Sequence, residues 1–162
     1  MHIDPVSPDD RGTLLTLATR TGLFSAEDAE GLLGGVLDGL TAGALAEGSV
    51  AFVSRPAPSA PANGWTYVAP DDHAAGVWNL WWLGVDPRAH GTGAATALVR
   101  RAEAHARERG ARLMIIETSA LDPQARARRF YAREGYAAVG RVPDFYGAGD
   151  DKIIFFRSLT AV

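Results

Sequence analysis

Cysteine is absent from the 162 residues. That excludes disulfides, thiolate zinc sites and a cysteine nucleophile. No run of about 18 apolar residues occurs, so no membrane-spanning helix is expected. Met1-His2-Ile3-Asp4-Pro5 has neither a basic segment nor an apolar one. A secretory leader is therefore not expected, and the cytoplasm is the expected location. Metal ligands do not gather either. Asp71-Asp72-His73 comes nearest, but three adjacent residues cannot all point at one ion, so it reads as a surface turn and no metal is expected. Internal repeats and long low-complexity tracts are missing. The Pro-, Ala- and Ser-rich stretch from Arg55 to Gly64 reads as a loop between strands.

What is present suits one domain spanning residues 1–162, with 47% apolar residues to build a core. The net charge of −3 gives no general pull toward nucleic acid or a membrane, and neither is expected as a partner. The charge is unevenly spread. Arg88 to Arg141 holds eleven arginines and five acids, while the remainder is acidic. A basic part and an acidic part suit a polyanionic cofactor and a cationic acceptor.

The element order reads β-α-α-β-β-β-α-β-α-β-β. Ile3–Val6 is a short strand. Ser7-Pro8-Asp9-Asp10 opens a helix that Gly22 breaks, and Ser25 caps another whose apolar face is Leu32, Leu33, Val36, Leu37 and Leu40. Residues 49–54 and 65–69 pair as strands. Val77–Val85 carries apolar residues at both alternations, with Asn79 and Trp81 on one face and Trp78, Leu80 and Trp82 on the other; it reads as central and covered on both sides. A long helix over 91–110 turns Leu98, Ala102, His105 and Ala106 inward. Then come a buried strand (112–118), a helix from Asp122-Pro123 to Gly135, and two antiparallel strands (136–142 and 152–158) joined by a loop. The strand, helix and strand from 77 to 118 form a right-handed parallel crossover. The class is α/β (α+β), with helices on both faces of a mixed sheet.

The turn His90-Gly91-Thr92-Gly93-Ala94-Ala95 lies between the central strand and the long helix. Small residues let backbone N–H groups approach a ligand, and the helix start adds unpaired donors and a positive dipole end, which together suit a pyrophosphate. The same residues could also join strand to helix with no ligand. Other phosphate motifs fit less well. No lysine follows the glycines as a P-loop requires, and Thr96 stands where a dinucleotide fingerprint needs a third small residue.

The stretch Leu83-Gly84-Val85-Asp86-Pro87-Arg88-Ala89-His90-Gly91-Thr92-Gly93-Ala94-Ala95 resembles the acetyl-CoA motif of the GNAT superfamily of N-acetyltransferases, Q/R-x-x-G-x-G/A preceded by V-x-P. His90 stands in place of Gln or Arg, and imidazole can still donate to a phosphate. Gln124 through Tyr136 resembles the family's second signature, N-x-x-A-x-x-[LF]-Y-x-x-x-G-[FY], with Gln124 in place of Asn. Asp144-Phe145-Tyr146-Gly147-Ala148-Gly149-Asp150-Asp151-Lys152 and Thr21-Gly22-Leu23-Phe24 resemble a bacterial subgroup with a D-F-Y-x-x-G-D-D-K tail.

The resemblance implies a GNAT-like, mostly antiparallel sheet with a central parallel β-α-β unit. It implies acetyl-CoA as donor and a small-molecule or peptide amine as acceptor. His90, Gly91, Thr92, Gly93, Ala94 and Ala95 would hold the pyrophosphate. Backbone amides of Leu83 and Val85, with Gln124, would hold the pantetheine arm beside splayed, often bulged strands. Tyr131 would lie near the cofactor sulfur, where a phenol of pKa about 10 is protonated and can supply a proton to the thiolate. A buried tyrosine whose hydroxyl merely finds a partner is the plainer alternative. Glu117 is the candidate base, or else a capping residue or one salt-bridged near Arg112 or Arg126. Phe24, Asn79, Trp81 and Tyr146 would border the acceptor, and with the nearby acids would suit a cationic amine with an apolar part. Dimers are common in the superfamily, so a homodimer is expected by analogy. The competing readings are a catalytically silent acyl-CoA-binding regulatory module and a nucleotide-binding regulator.

Overall fold

A computed structural model describes residues 1–160. Seven strands form one sheet: β1 (His2–Pro5), β2 (Val50–Arg55), β3 (Gly64–Pro70), β4 (Val77–Val85), β5 (Leu113–Ser119), β6 (Ala137–Gly147) and β7 (Asp150–Ser158). Their spatial order is β1-β2-β3-β4-β5-β7-β6. Every neighbouring pair is antiparallel except β4–β5, the two ends of the expected crossover. The helices are α1 (Arg11–Arg20), α2 (Ala26–Ala29), α3 (Gly35–Ala42), α4 (Ala94–Glu108) and α5 (Ala125–Arg133). No helix among the described residues is long and apolar enough to cross a membrane.

The sheet divides two apolar cores. On one face, Trp78 and Leu80 of β4 and Met114 and Ile116 of β5 meet Val99, Ala102 and Ala106 of α4, with Tyr131, Tyr136 and Phe155 closing the layer. On the other, Trp65 and Trp82 meet Leu14 and Leu17 of α1 and Leu33 and Leu37 of the α2–α3 segment. Glu103 of α4 is fully buried, yet its carboxylate is satisfied. It accepts from the Tyr136 hydroxyl and from Arg157, each at 2.9 Å. This pairing ties α4 to β7 and to the turn after α5, and a buried charge needs such partners.

Three local irregularities depart from the periodic reading. First, β4 carries a bulge. Tyr67 pairs with Trp82 and Val68 with Leu80, so Trp81 is an extra residue without a partner. The bulge resets the alternation. Leu80 enters the α4 core, Trp82 enters the α1 core, and Trp81 is 56% exposed rather than covered. Second, a π-turn over Glu30–Gly34 joins α2 to α3. It adds a residue to the helical phase, which leaves Leu32 exposed while Leu33 and Leu37 are buried. Third, most of the expected loop between the last strands is strand. β6 runs to Gly147 and β7 begins at Asp150, with an irregular register between Val142 and Gly147 and a left-handed Asp144.

Candidate active site

The chain leaves β4 through Asp86, whose carboxylate accepts from the Arg88 backbone and binds the Arg88 guanidinium at 3.0 and 2.7 Å. Arg20 at the end of α1 reaches the same carboxylate at 3.3 Å. These cations hold the Asp86 carboxyl far below the usual carboxylate range, the Arg88 side-chain bond contributing most. The turn between β4 and α4 is thereby fixed at its base. Gly91 and Gly93 follow, both at positive φ (+82° and +87°), where a Cβ would be strained. Gly93 is the N-cap of α4, and its carbonyl takes the first helical bond from the Ala97 N–H at 3.0 Å. The N–H groups of Ala94, Ala95 and Thr96 have no intrahelical acceptor. Together with the helix dipole they form an anion-binding end.

Beside this turn, β4 and β5 part. Their last paired residues are Asn79 and Ile115, although both strands continue. The Asp86 N–H reaches Asn63 O on the β3 side at 2.8 Å. Successive residues of a strand present their N–H groups to alternate edges. Leu83 and Val85 therefore present theirs to the edge that β5 has left.

A cavity of about 390 Å³ occupies this region. Leu83, Gly84 and Val85 line one side, the turn from Pro87 to Thr96 closes an end, and Gln124, Ala127, Phe130 and Tyr131 of the α5 region form the opposite wall. Leu83, Val85, His90, Gly91, Gly93, Ala94, Ala95, Gln124 and Tyr131 thus meet on one cavity, as their motifs imply. Thr92 does not line it; its hydroxyl donates to Ala89 O at 2.7 Å.

Tyr131 is 6% exposed and packs edge-on against Phe130 at 5.7 Å and Tyr136 at 6.4 Å between ring centroids. Burial alone pushes its phenol well above its ordinary value.

The other four candidates and Glu117 lie outside the cavity wall. Phe24 packs on Trp82 at 5.4 Å in the second core, while its neighbours Thr21 and Leu23 reach the cavity. Asn79 is buried and donates to Asp71 at 3.0 Å. Trp81 and Tyr146 are exposed. Glu117 is half-buried and pairs with Lys152 at 2.7 Å, so the salt-bridged alternative describes its resting state, with Lys152 as partner rather than Arg112 or Arg126. Asp71 accepts from the His73 backbone at 2.9 Å, in the manner of a turn. Among the described residues no group of three metal-ligating side chains forms.

The model of the acetyltransferase (GNAT) family matches residues 49–136, the span from β2 through Tyr136. The chain belongs to this family. It is a GNAT acetyltransferase that acts on amines and uses acetyl-CoA as acyl donor. A crystal structure from Desulfovibrio desulfuricans, assigned to the same family, is similar over 98% of this chain and 99% of that one, with 28% identity and a TM-score of 0.90. An aminoglycoside 6'-N-acetyltransferase complexed with coenzyme A covers 100% and 99% at 17% identity (TM-score 0.80). The ribosomal-protein-S18-alanine N-acetyltransferase from Escherichia coli covers 99% and 95% at 16% identity (TM-score 0.72). These last two bear on the fold alone. A comparison with curated proteins gives no match.

The cavity fits the GNAT donor. Its turn offers free N–H groups to phosphates, its wall offers two unpaired strand amides, and Ala127 and Phe130 are apolar. Arg126 and Arg133 also line it, and neither has an ion-pair partner among the described residues. Sequence reasoning passed over both within the arginine-rich stretch. Their spacing of seven, two turns of one helix face, is the signal that could have singled them out.

Proposed function

We propose that this GNAT enzyme transfers the acetyl group by direct attack of a small-molecule or peptide amine on the thioester, with Tyr131 supplying the proton to the departing sulfur. The observation that carries this reading is the meeting of Tyr131 with the Gly91–Thr96 turn on one cavity beside the parted strands. Acetyl-CoA, when bound, supplies an activated acyl group. The free N–H groups of Ala94, Ala95 and Thr96, with His90, hold its phosphates, and Arg126 and Arg133 add charge. The Leu83 and Val85 amides and Gln124 orient the pantetheine arm. No protein nucleophile is needed, since positioning of the two reactants accounts for much of the acceleration.

Tyr131 keeps its proton because it is buried, and it donates to a sulfur that becomes negative as the C–S bond breaks. Glu117 draws the amine proton, directly or through water, once its pairing with Lys152 yields. Trp81 and Tyr146 present aromatic faces to the acceptor. The test is thiol release from acetyl-CoA on adding a panel of primary amines. Amine-dependent release is expected, with no competition from ATP or NAD. Acetyl-CoA binding without release by any amine would leave a binding module in its place.

A further inference from the structure

Lys152 is the sole lysine in a chain with fifteen arginines. Its side chain is 11% exposed. Its Nζ lies 2.7 Å from Glu117 Oε2 and 3.3 Å from the centroid of the Phe145 ring. A carboxylate beside an aromatic face is a cage for an ammonium group. The compact ammonium of lysine, rather than a planar guanidinium, fills it here.

The position of this cage matters. Lys152 pairs across the ladder with Ser119, at the end of β5 and beyond the point where β4 departs. Glu117 alternates with Ile116 and Thr118, so it faces away from the α4 core, on the same side as Ile115 and its partner Asn79. The second core draws its strand residues from β2, β3 and β4 only. The cage therefore stands on a part of the sheet that neither core covers. Phe145 and Tyr146 at its rim are 53% and 49% exposed.

Asp150 joins Glu117 there: it alternates onto the Lys152 side of β7, and its carboxylate accepts from the Ser119 hydroxyl. One cation answers the two carboxylates, Lys152 on Glu117; Arg141 and its partner Asp151 alternate to the other side of the sheet. Burial, then Glu117 and Asp150, raise the Tyr146 phenol. With two carboxylates and one cation, the surroundings remain acidic.

We infer that Lys152 is a resident cation in the acceptor's ammonium site, competing with cationic acceptors for Glu117 and Phe145, and so is a specificity-determining residue. The inference rests on the acetyl-transfer reading for the meaning of the site, but its test does not require turnover. An incoming ammonium and Lys152 cannot both hold one carboxylate without like-charge repulsion. The chain's own lysine thus weakens the binding of polycationic amines, and an acceptor must displace it to reach Glu117.

Lys152→Met keeps the length of the stem and removes the charge. Binding of 1,5-diaminopentane and of the neutral 1,5-pentanediol is measured by titration calorimetry, with and without coenzyme A. In the Met variant the diamine is expected to bind at least about tenfold tighter than in the wild type, and the diol to be unchanged. Lys152→Arg should bind the diamine as weakly as the wild type. If melting curves show that the Met variant does not fold, Lys152→Gln serves instead. It also removes the charge, leaves Glu117 and the Phe145 ring in place, and is expected to tighten diamine binding about threefold. Unchanged diamine affinity in the folded variant would overturn the inference. So would an equal gain for diamine and diol, which would make Lys152 a plug of space rather than of charge. Failure of every amine to release thiol from acetyl-CoA would overturn the acetyl-transfer reading instead and leave the binding result standing.

Discussion

In the proposed reading, Tyr131 and the arginines on its helix perform separable tasks. Tyr131 is sealed between Phe130, Tyr136 and Phe155, whereas Arg126 and Arg133 sit exposed on the same cavity. Replacing both arginines by alanine should weaken acetyl-CoA binding about tenfold, steepen its loss with salt less than in the wild type, and leave turnover at saturation within about twofold. Calorimetric titration at two ionic strengths checks this. Tyr131 was visible as a candidate in the sequence because the residues around it match a motif. The arginines were not, because eleven similar side chains share that stretch and nothing in composition says which lack acidic partners. Arg100, Arg107 and Arg157 converge on Glu103, and Arg141 serves Asp151. Phe24 packs against the second core rather than on the cavity wall. An apolar ring beside a site is drawn into the nearest core, here onto Trp82.

At the scale of elements, the turn after β4 and the break between β4 and β5 build the proposed donor site. Gly93→Ala places a Cβ at a φ of +87° with no neighbour within 4 Å, so the penalty is one of backbone strain alone. A stability loss of about 1–2 kcal/mol is expected, with weaker acetyl-CoA binding, from melting curves recorded with and without the donor. Gly84 differs. A Cβ there would lie 2.5 Å from the buried Trp82 ring, so Gly84→Ala should disturb the strand that carries the Leu83 and Val85 amides. A larger fall in melting temperature than for Gly93→Ala is expected. The order of elements was readable from hydrophobic period and from Ser, Pro and Gly punctuation. The bulge at Trp81 and the π-turn at Glu30–Gly34 were not, because each adds one residue to a period that pattern reading assumes constant. The bulge exposes a tryptophan that strict alternation would have covered.

For the molecule as a whole, two cores on one sheet leave the β4–β5 gap as the natural place for a ligand, and buried ion pairs fasten the helices around it. Asp86 joins the end of α1 to the donor turn through Arg20 and Arg88. Its folded pKa lies below the unfolded value of about 3.9. Such a group contributes stability that is present above the unfolded pKa and lost as pH falls through the folded one. Asp86→Asn should lower the melting temperature by a few degrees at pH 7, and the gap to the wild type should narrow below about pH 4. Circular dichroism melts across pH 3–7 give the comparison.

The central claim is that Tyr131 protonates the departing sulfur in a donor site built by the Gly91–Thr96 turn. Tyr131→Phe tests it most directly, with thiol release and acetyl-CoA affinity measured on the same preparation. The account predicts that turnover falls about 100-fold while acetyl-CoA affinity stays within about twofold, because only the hydroxyl is removed. Full activity of the Phe variant across the pH range would contradict it and return Tyr131 to the core as a packing residue.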